Sequence, residues 1–147
     1  MNVPVEAYNL ARTFEGLRLE PYRDSAGYWT VGFGHLLSRD KTKGASDFSP
    51  ITHKEAEALL ASDLVKASRS VVNLCPVPLT DGQFSALIDF TFNLGGGNLE
   101  ASTLRHLINR GEMTEATEQF GRWVYAGSVK LIGLVRRRAE EARLFAF

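Results

Sequence analysis

The chain has 147 residues, of which 44% are apolar and 23% charged, ordinary values for a globular protein and enough for one domain with its own core. Lys plus Arg and Asp plus Glu both number 17, so no net field draws it to nucleic acid or an acidic membrane, and no apolar run approaches the roughly 18 residues of a spanning helix. Cys75 is the single cysteine, which excludes an internal disulfide; beside Leu74, Pro76 and Val77 it reads as a small buried hydrophobe.

Val3, Ala7, Leu10, Ala11 and Phe14 share one face of a helix, with Pro4 in its first turn and Gly16 just past its end. Glu6, Asn9, Arg12 and Glu15 interrupt the apolar pattern, so no export signal is read here and the cytoplasm is the expected compartment. Glu15 closes this helix at the negative end of its dipole, where the neutral acid is favoured over the anion, as a proton donor requires. From Leu17 to about Phe33 the pattern is of short antiparallel strands. Asp24-Ser25-Ala26-Gly27 supplies the turn, and Tyr28-Trp29-Thr30-Val31 is rich in strand formers. Gly32 and Gly34 weaken a purely structural strand and point to close approach by another group. Residues 38 to 50 are polar and turn-rich, a loop with at most one short edge strand.

Thr52 and Glu55 form a capping box, and Leu60, Leu64, Ala67 and Val71 carry the seam of the helix that follows to about Asn73. A second box, Thr80 with Gln83, opens FSALIDFTFNL, apolar on nearly every side and therefore a central buried helix interrupted by Asp89. Gly95-Gly96-Gly97 stops it, and short helices are expected over Ser102 to about Asn109, Thr114 to about Val124, and Val135 to Phe145. The last should bury Val135, Ala139, Ala142 and Phe145, with Arg136, Arg137 and Arg138 as a solvated face. The expected fold class is α+β: a hairpin lobe over about 15–50, a connecting helix over about 52–73, and a helical lobe over about 79–147 that includes the N-terminal helix, with a cleft between.

Two carboxylates are the minimum equipment for cutting a glycosidic bond, one to protonate the leaving oxygen and one to activate water or attack the sugar. Glu15 and Asp24 meet that requirement, but taken alone they fit equally a helix-terminal Glu and a turn-capping Asp, and Thr30 fits an ordinary strand. Metal chemistry is not supported, because His35, His53 and His106 are scattered and form no ligand spacing. Gly95 to Gly97 follows a helix, whereas a phosphate-binding fingerprint follows a strand.

The pattern Glu15-x8-Asp24-x5-Thr30, set in FEGLRLEPYRDSAGYWTVGFGHLL, resembles the catalytic signature of phage-type lysozymes, the endolysins of glycoside hydrolase family 24. ITHKEAEALLASDL, DGQFSALIDFTFNLGGGNLEASTLRHLINRG, RWVYAG and GLVRRRAEEARLF resemble later segments of that family in the same order, so the likeness covers nearly the whole chain. The resemblance implies a lysozyme-like fold and hydrolysis of the β-1,4 bond between N-acetylmuramic acid and N-acetylglucosamine in peptidoglycan, causing host lysis. It assigns Glu15 as general acid and places the attacking water on Asp24 and Thr30. The family is taken to invert the anomeric carbon, a geometry that separates the carboxyls by about 6.5–9.5 Å. Leu36, Phe92 and Thr103, with Gly32, fall where the family lines its saccharide cleft; His35 pairs with Asp63, and Arg137 is the arginine to direct at Glu15. No cofactor is implied. A monomer is expected, without nucleic acid or stable membrane insertion, reaching the wall from the host cytoplasm through a pore-forming holin. The rival readings are a lytic transglycosylase, which needs no positioned water, and a wall-binding domain of a tail-tip assembly.

Overall fold

The computed structural model describes residues 2–147. Two compact units divide the chain: Ala11–Asp63, and the remainder, which joins the residues through Leu10 to Leu64–Phe147. The divisions fall inside helix α1 (Val5–Glu15) and helix α2 (His53–Leu74).

The Ala11–Asp63 unit is built on a three-stranded antiparallel sheet of β1 (Arg18–Arg23), β2 (Trp29–Gly32) and β3 (His35–Ser38), in that spatial order. β3 takes residues that the sequence pattern leaves at the edge of a loop. Gly34, at φ 73°, turns the chain from β2 into β3, a backbone state that costs glycine nothing. Trp29, Val31, Phe33, Ala56 and Leu60 are buried. The Trp29 ring lies 5.7 Å from that of Phe48, and its indole N–H donates to the Lys43 carbonyl at 2.8 Å, so the 38–50 loop is packed onto the sheet. The Thr52–Glu55 capping box forms as expected, each side chain bonded to the other residue's amide at 3.1 Å. Arg12 in the last turn of α1 grips Glu57 of α2 with Nε–Oε1 at 2.9 Å and Nη2–Oε2 at 2.8 Å.

The other unit is helical: the rest of α2, then α3 (Asp81–Leu94), α4 (Gly96–Ala101), α5 (Thr103–Asn109), α6 (Met113–Gln119) and α7 (Ile132–Phe145), with a small hairpin of β4 (Tyr125–Ala126) and β5 (Val129–Lys130) before α7. Residues Ser85 to Thr91 of α3 are buried without a break, as the all-round apolar character of this segment requires. Phe90 meets Phe120 and Trp123 edge to face at 5.8 and 5.4 Å, the favoured geometry for aromatic rings. Three features differ from the sequence reading. Only Gly95 interrupts the chain, at φ 91°, while Gly96 and Gly97 begin α4. The two-residue strands of the hairpin are too short to show a period. And α7 buries Arg137, Arg138, Glu141 and Phe145, leaving Ala139 exposed. Its inner face is polar because α3 presents Asp89 and Asn93 to it: Arg137 bonds Asp89 at 2.7 and 2.8 Å, and Arg138 bonds Asn93 at 2.9 Å.

Candidate active site

Glu15 is the last residue of α1, half-buried, and the chain leaves it through Gly16 at φ 71°. Its carboxylate lies against the backbone of Gly34, so closely that a Cβ built on Gly34 would overlap Oε1. The β2–β3 turn thus limits where the acid can move.

Asp24 sits just beyond β1 and organises the hairpin turn. Its Oδ1 accepts from the amides of Ala26 at 2.9 Å and Tyr28 at 2.8 Å, while its own amide donates to the Tyr28 carbonyl at 2.8 Å. Among the described residues nothing donates to Oδ2. One oxygen caps the turn, and the other is not engaged by it. Thr30 is buried, and its hydroxyl proton is already committed to the Tyr28 carbonyl at 3.0 Å. Whatever else binds Thr30 Oγ1 must therefore bring a proton to it.

The sheet register sets Thr30 between two further side chains. Thr30 is paired with Tyr22 on one side and Leu36 on the other, and directly opposed residues of an antiparallel pair project from the same face. Asp24, one residue past β1, is linked to Thr30 through Tyr28, whose carbonyl accepts from both the Asp24 amide at 2.8 Å and the Thr30 hydroxyl at 3.0 Å. Leu36 is 39% exposed, an apolar contact open to a ligand. Burial first, then the charge of Glu15, raises the Tyr22 phenol pKa; Arg18 opposes this and Asp24 adds to it. A single phenol thus feels both carboxylates.

The remaining expected residues divide. The side-chain position of Gly32, at φ 69°, faces Ala56 Cβ and Ile51 Cδ1, both 3.4 Å from a built Cβ. His35 Nδ1 stands 2.8 Å from Asp63 Oδ2, joining β3 to α2. Phe92 and Thr103 belong to the helical unit, where Phe92 is half-buried with the Arg137 guanidinium 5.9 Å from its ring centroid and Thr103 is exposed as the first residue of α5. Arg137 is bonded in a fork to Asp89. Burial alone would push the Asp89 carboxyl up, but these bonds outweigh it and hold its pKa below the ordinary value. Tyr22 and the Gly34–Glu15 contact were not singled out from sequence as parts of the site. Cross-strand pairing with Thr30 is the signal that marks Tyr22, and it depends on the register.

The family model for phage lysozyme matches residues 12–141. An endolysin of Bacillus phage B103 is 36% identical, the match covering 99% of this chain and 54% of the relative. An endolysin of Acyrthosiphon pisum secondary endosymbiont phage 1 is 33% identical, over 99% of this chain and 98% of its own. The chain spans about half the length of the B103 relative and of a second Bacillus phage endolysin, from phage PZA (55%). Among solved structures, the muramidase domain of SpmX from Asticaccaulis excentricus superposes with a TM-score of 0.86 at 33% identity, covering 99% of this chain and 98% of that one. The endolysin from Escherichia coli O157:H7 phage FAHEc1 gives 0.85 at 31%, covering 99% and 93%. On a family match of this extent, with relatives and solved structures above 30% identity over nearly the whole chain, the chain belongs to the phage lysozyme family.

Proposed function

We propose that the chain is an endolysin-type muramidase that hydrolyses the β-1,4 bond between N-acetylmuramic acid and N-acetylglucosamine in bacterial peptidoglycan. The carrying observation is a pair of acceptors beside the Tyr28 carbonyl that are open to a ligand's protons. Among the described residues nothing donates to Asp24 Oδ2, and Thr30 Oγ1 has given its proton to the Tyr28 carbonyl. The Asp24 amide and the Thr30 hydroxyl both donate to the Tyr28 carbonyl, which keeps the two residues close enough for one water to donate to both oxygens. Its lone pair is then free for the anomeric carbon, and Asp24 takes the proton as the new C–O bond forms. Glu15, held against Gly34, supplies a proton to the departing glycosidic oxygen, and the two events on opposite sugar faces invert the carbon.

Leu36, Phe92 and Thr103 are proposed as saccharide contacts, His35 with Asp63 as a structural tie, and Arg137 as the electrostatic partner of Glu15. Relatives named endolysin, and a structural neighbour named a muramidase domain, support the substrate class. No helix among the described residues is long and apolar enough to cross a membrane. Residence in the host cytoplasm with holin-dependent release, as a free monomer, is the cellular reading. Mass spectrometry of digested peptidoglycan tests the chemistry: muramic acid at new reducing ends is expected. Anhydromuramic acid would establish a transglycosylase, and freed peptide ends a different enzyme altogether.

A further inference from the structure

Three side chains stand in one row across the sheet: Tyr22 of β1, Thr30 of β2 and Leu36 of β3, each directly opposite the next. The functional reading uses Thr30 for water and Leu36 for sugar, and leaves Tyr22 without a task. Yet Tyr22 is half-buried, and among the described residues its hydroxyl takes part in no hydrogen bond. The hydroxyl is not among the buried unpartnered groups, so it opens to the surface where a ligand can reach it. Its ring is covered by the Arg18 guanidinium, 4.3 Å from the centroid, which fixes the ring plane from the same strand. We propose that Tyr22 is a further catalytic residue, its hydroxyl donating a hydrogen bond to an oxygen of the sugar that undergoes displacement.

The assignment rests on the muramidase reading and deepens it. Glu15, Asp24 and Thr30 all face the reacting bond as proton donor or acceptors for water, and none is left to orient the sugar ring itself. A neutral O–H does this without adding charge beside the two carboxylates. The phenol keeps its proton because burial and the charges of Glu15 and Asp24 all oppose its loss, with Arg18 alone favouring it. A bond of this kind tightens as the ring distorts towards the transition state, so its loss appears in kcat more than in KM.

The test is Tyr22→Phe, which keeps the ring and its stack on Arg18 and removes only the hydroxyl. On soluble glycan chains the expected result is a fall in kcat of about ten-fold or more with KM within about two-fold, at a melting temperature within about 2 °C of wild type. Rates within two-fold of wild type would overturn the assignment while the parent enzyme remains a muramidase. A wild-type protein that releases no reducing ends overturns both readings. Should Tyr22→Phe fold poorly, Glu15→Gln protein labelled with 3-fluorotyrosine retains the hydroxyl. Its Tyr22 fluorine resonance, identified against Tyr8→Phe, Tyr28→Phe and Tyr125→Phe samples, should shift on titration with soluble glycan, and a resonance that does not move refutes the contact.

Discussion

The carboxylate of Glu15 occupies the space in which a side chain on Gly34 would begin. Gly34 also lies at φ 73°, so alanine there carries a backbone cost of about 1 kcal/mol as well as a collision. The colliding partner is the end of a flexible side chain, and relief comes by moving the acid away from its place. Gly34→Ala should therefore lose at least ten-fold in kcat while melting only a few degrees lower. Gly111→Ala is the matched control, because Gly111 has φ 78° with nothing within 4 Å of a built Cβ. It should melt lower by a similar amount and keep full activity per folded molecule. Equal activity in both variants would show that Glu15 tolerates displacement.

Asp24→Asn and Thr30→Val separate the turn from the chemistry. The amide oxygen of Asn can still accept from Ala26 and Tyr28, the two bonds that Asp24 Oδ1 now receives, so the hairpin should hold. The base is lost, and kcat should fall by about 10²–10⁴. Thr30→Val keeps the shape and removes both the bond to Tyr28 and the water acceptor, whereas Thr30→Ser restores both and should recover most of the rate. A Thr30→Val enzyme as fast as Thr30→Ser would remove Thr30 from the water site.

What was legible in the sequence follows from how local each cause is. The Thr52–Glu55 and Thr80–Gln83 boxes are contained in four residues each, and both form. Gly32 and Gly34 announce close approaches, but the partners are Ala56 with Ile51 in one case and Glu15 in the other, and only the folded chain supplies them. The Arg136 to Arg138 run reads as solvent-facing because like charges usually are. Arg137 and Arg138 are buried because Asp89 and Asn93, 48 and 45 residues away, complete their hydrogen bonds. The Tyr22–Thr30–Leu36 row is likewise a property of register, and bulges on both sides of β2 shift that register. Alternation counted along one strand does not reveal it.

Stability should weaken in acid through Glu57. The Arg12 hydrogen bonds lead the effects that hold its carboxyl pKa below the usual 4.5, partly offset by burial. A depressed folded pKa contributes stability above the unfolded value, near 4.5, that is lost as pH falls through the folded one. Both partners are about a third exposed, 37% for Arg12 and 34% for Glu57, so solvent screening limits the gain to about 0.5 kcal/mol. Thermal melts should place Glu57→Gln slightly below wild type at pH 7, with the gap closing towards pH 3. A gap that does not change with pH would assign the difference to packing instead.

Glu141 should act in the opposite sense. It is wholly buried beside Asp89, Arg137 and Arg138, with Asn93 and the Phe90 ring also against this cluster. Arg138 comes within 2.7 Å of Glu141, a contact that favours the carboxylate. Burial dominates, however, and a hydrogen bond to Asp89 together with the Asp89 charge adds to it, so the Glu141 pKa stands well above its ordinary value. We give these the greater weight because Arg137 is already committed in a fork to Asp89, leaving two adjacent acids to share what remains. A raised folded pKa contributes stability that is complete below about pH 4.5 and disappears as pH rises through the folded value. Glu141→Gln keeps a neutral donor towards Asp89 and an acceptor for Arg138 at every pH. The two proteins should melt alike near pH 4.5, and by pH 8 the Gln variant should melt higher than wild type. A Gln variant that trails wild type throughout pH 5–8 would mean that Glu141 is ionised in the fold and that the Arg138 pair, rather than burial, sets its state.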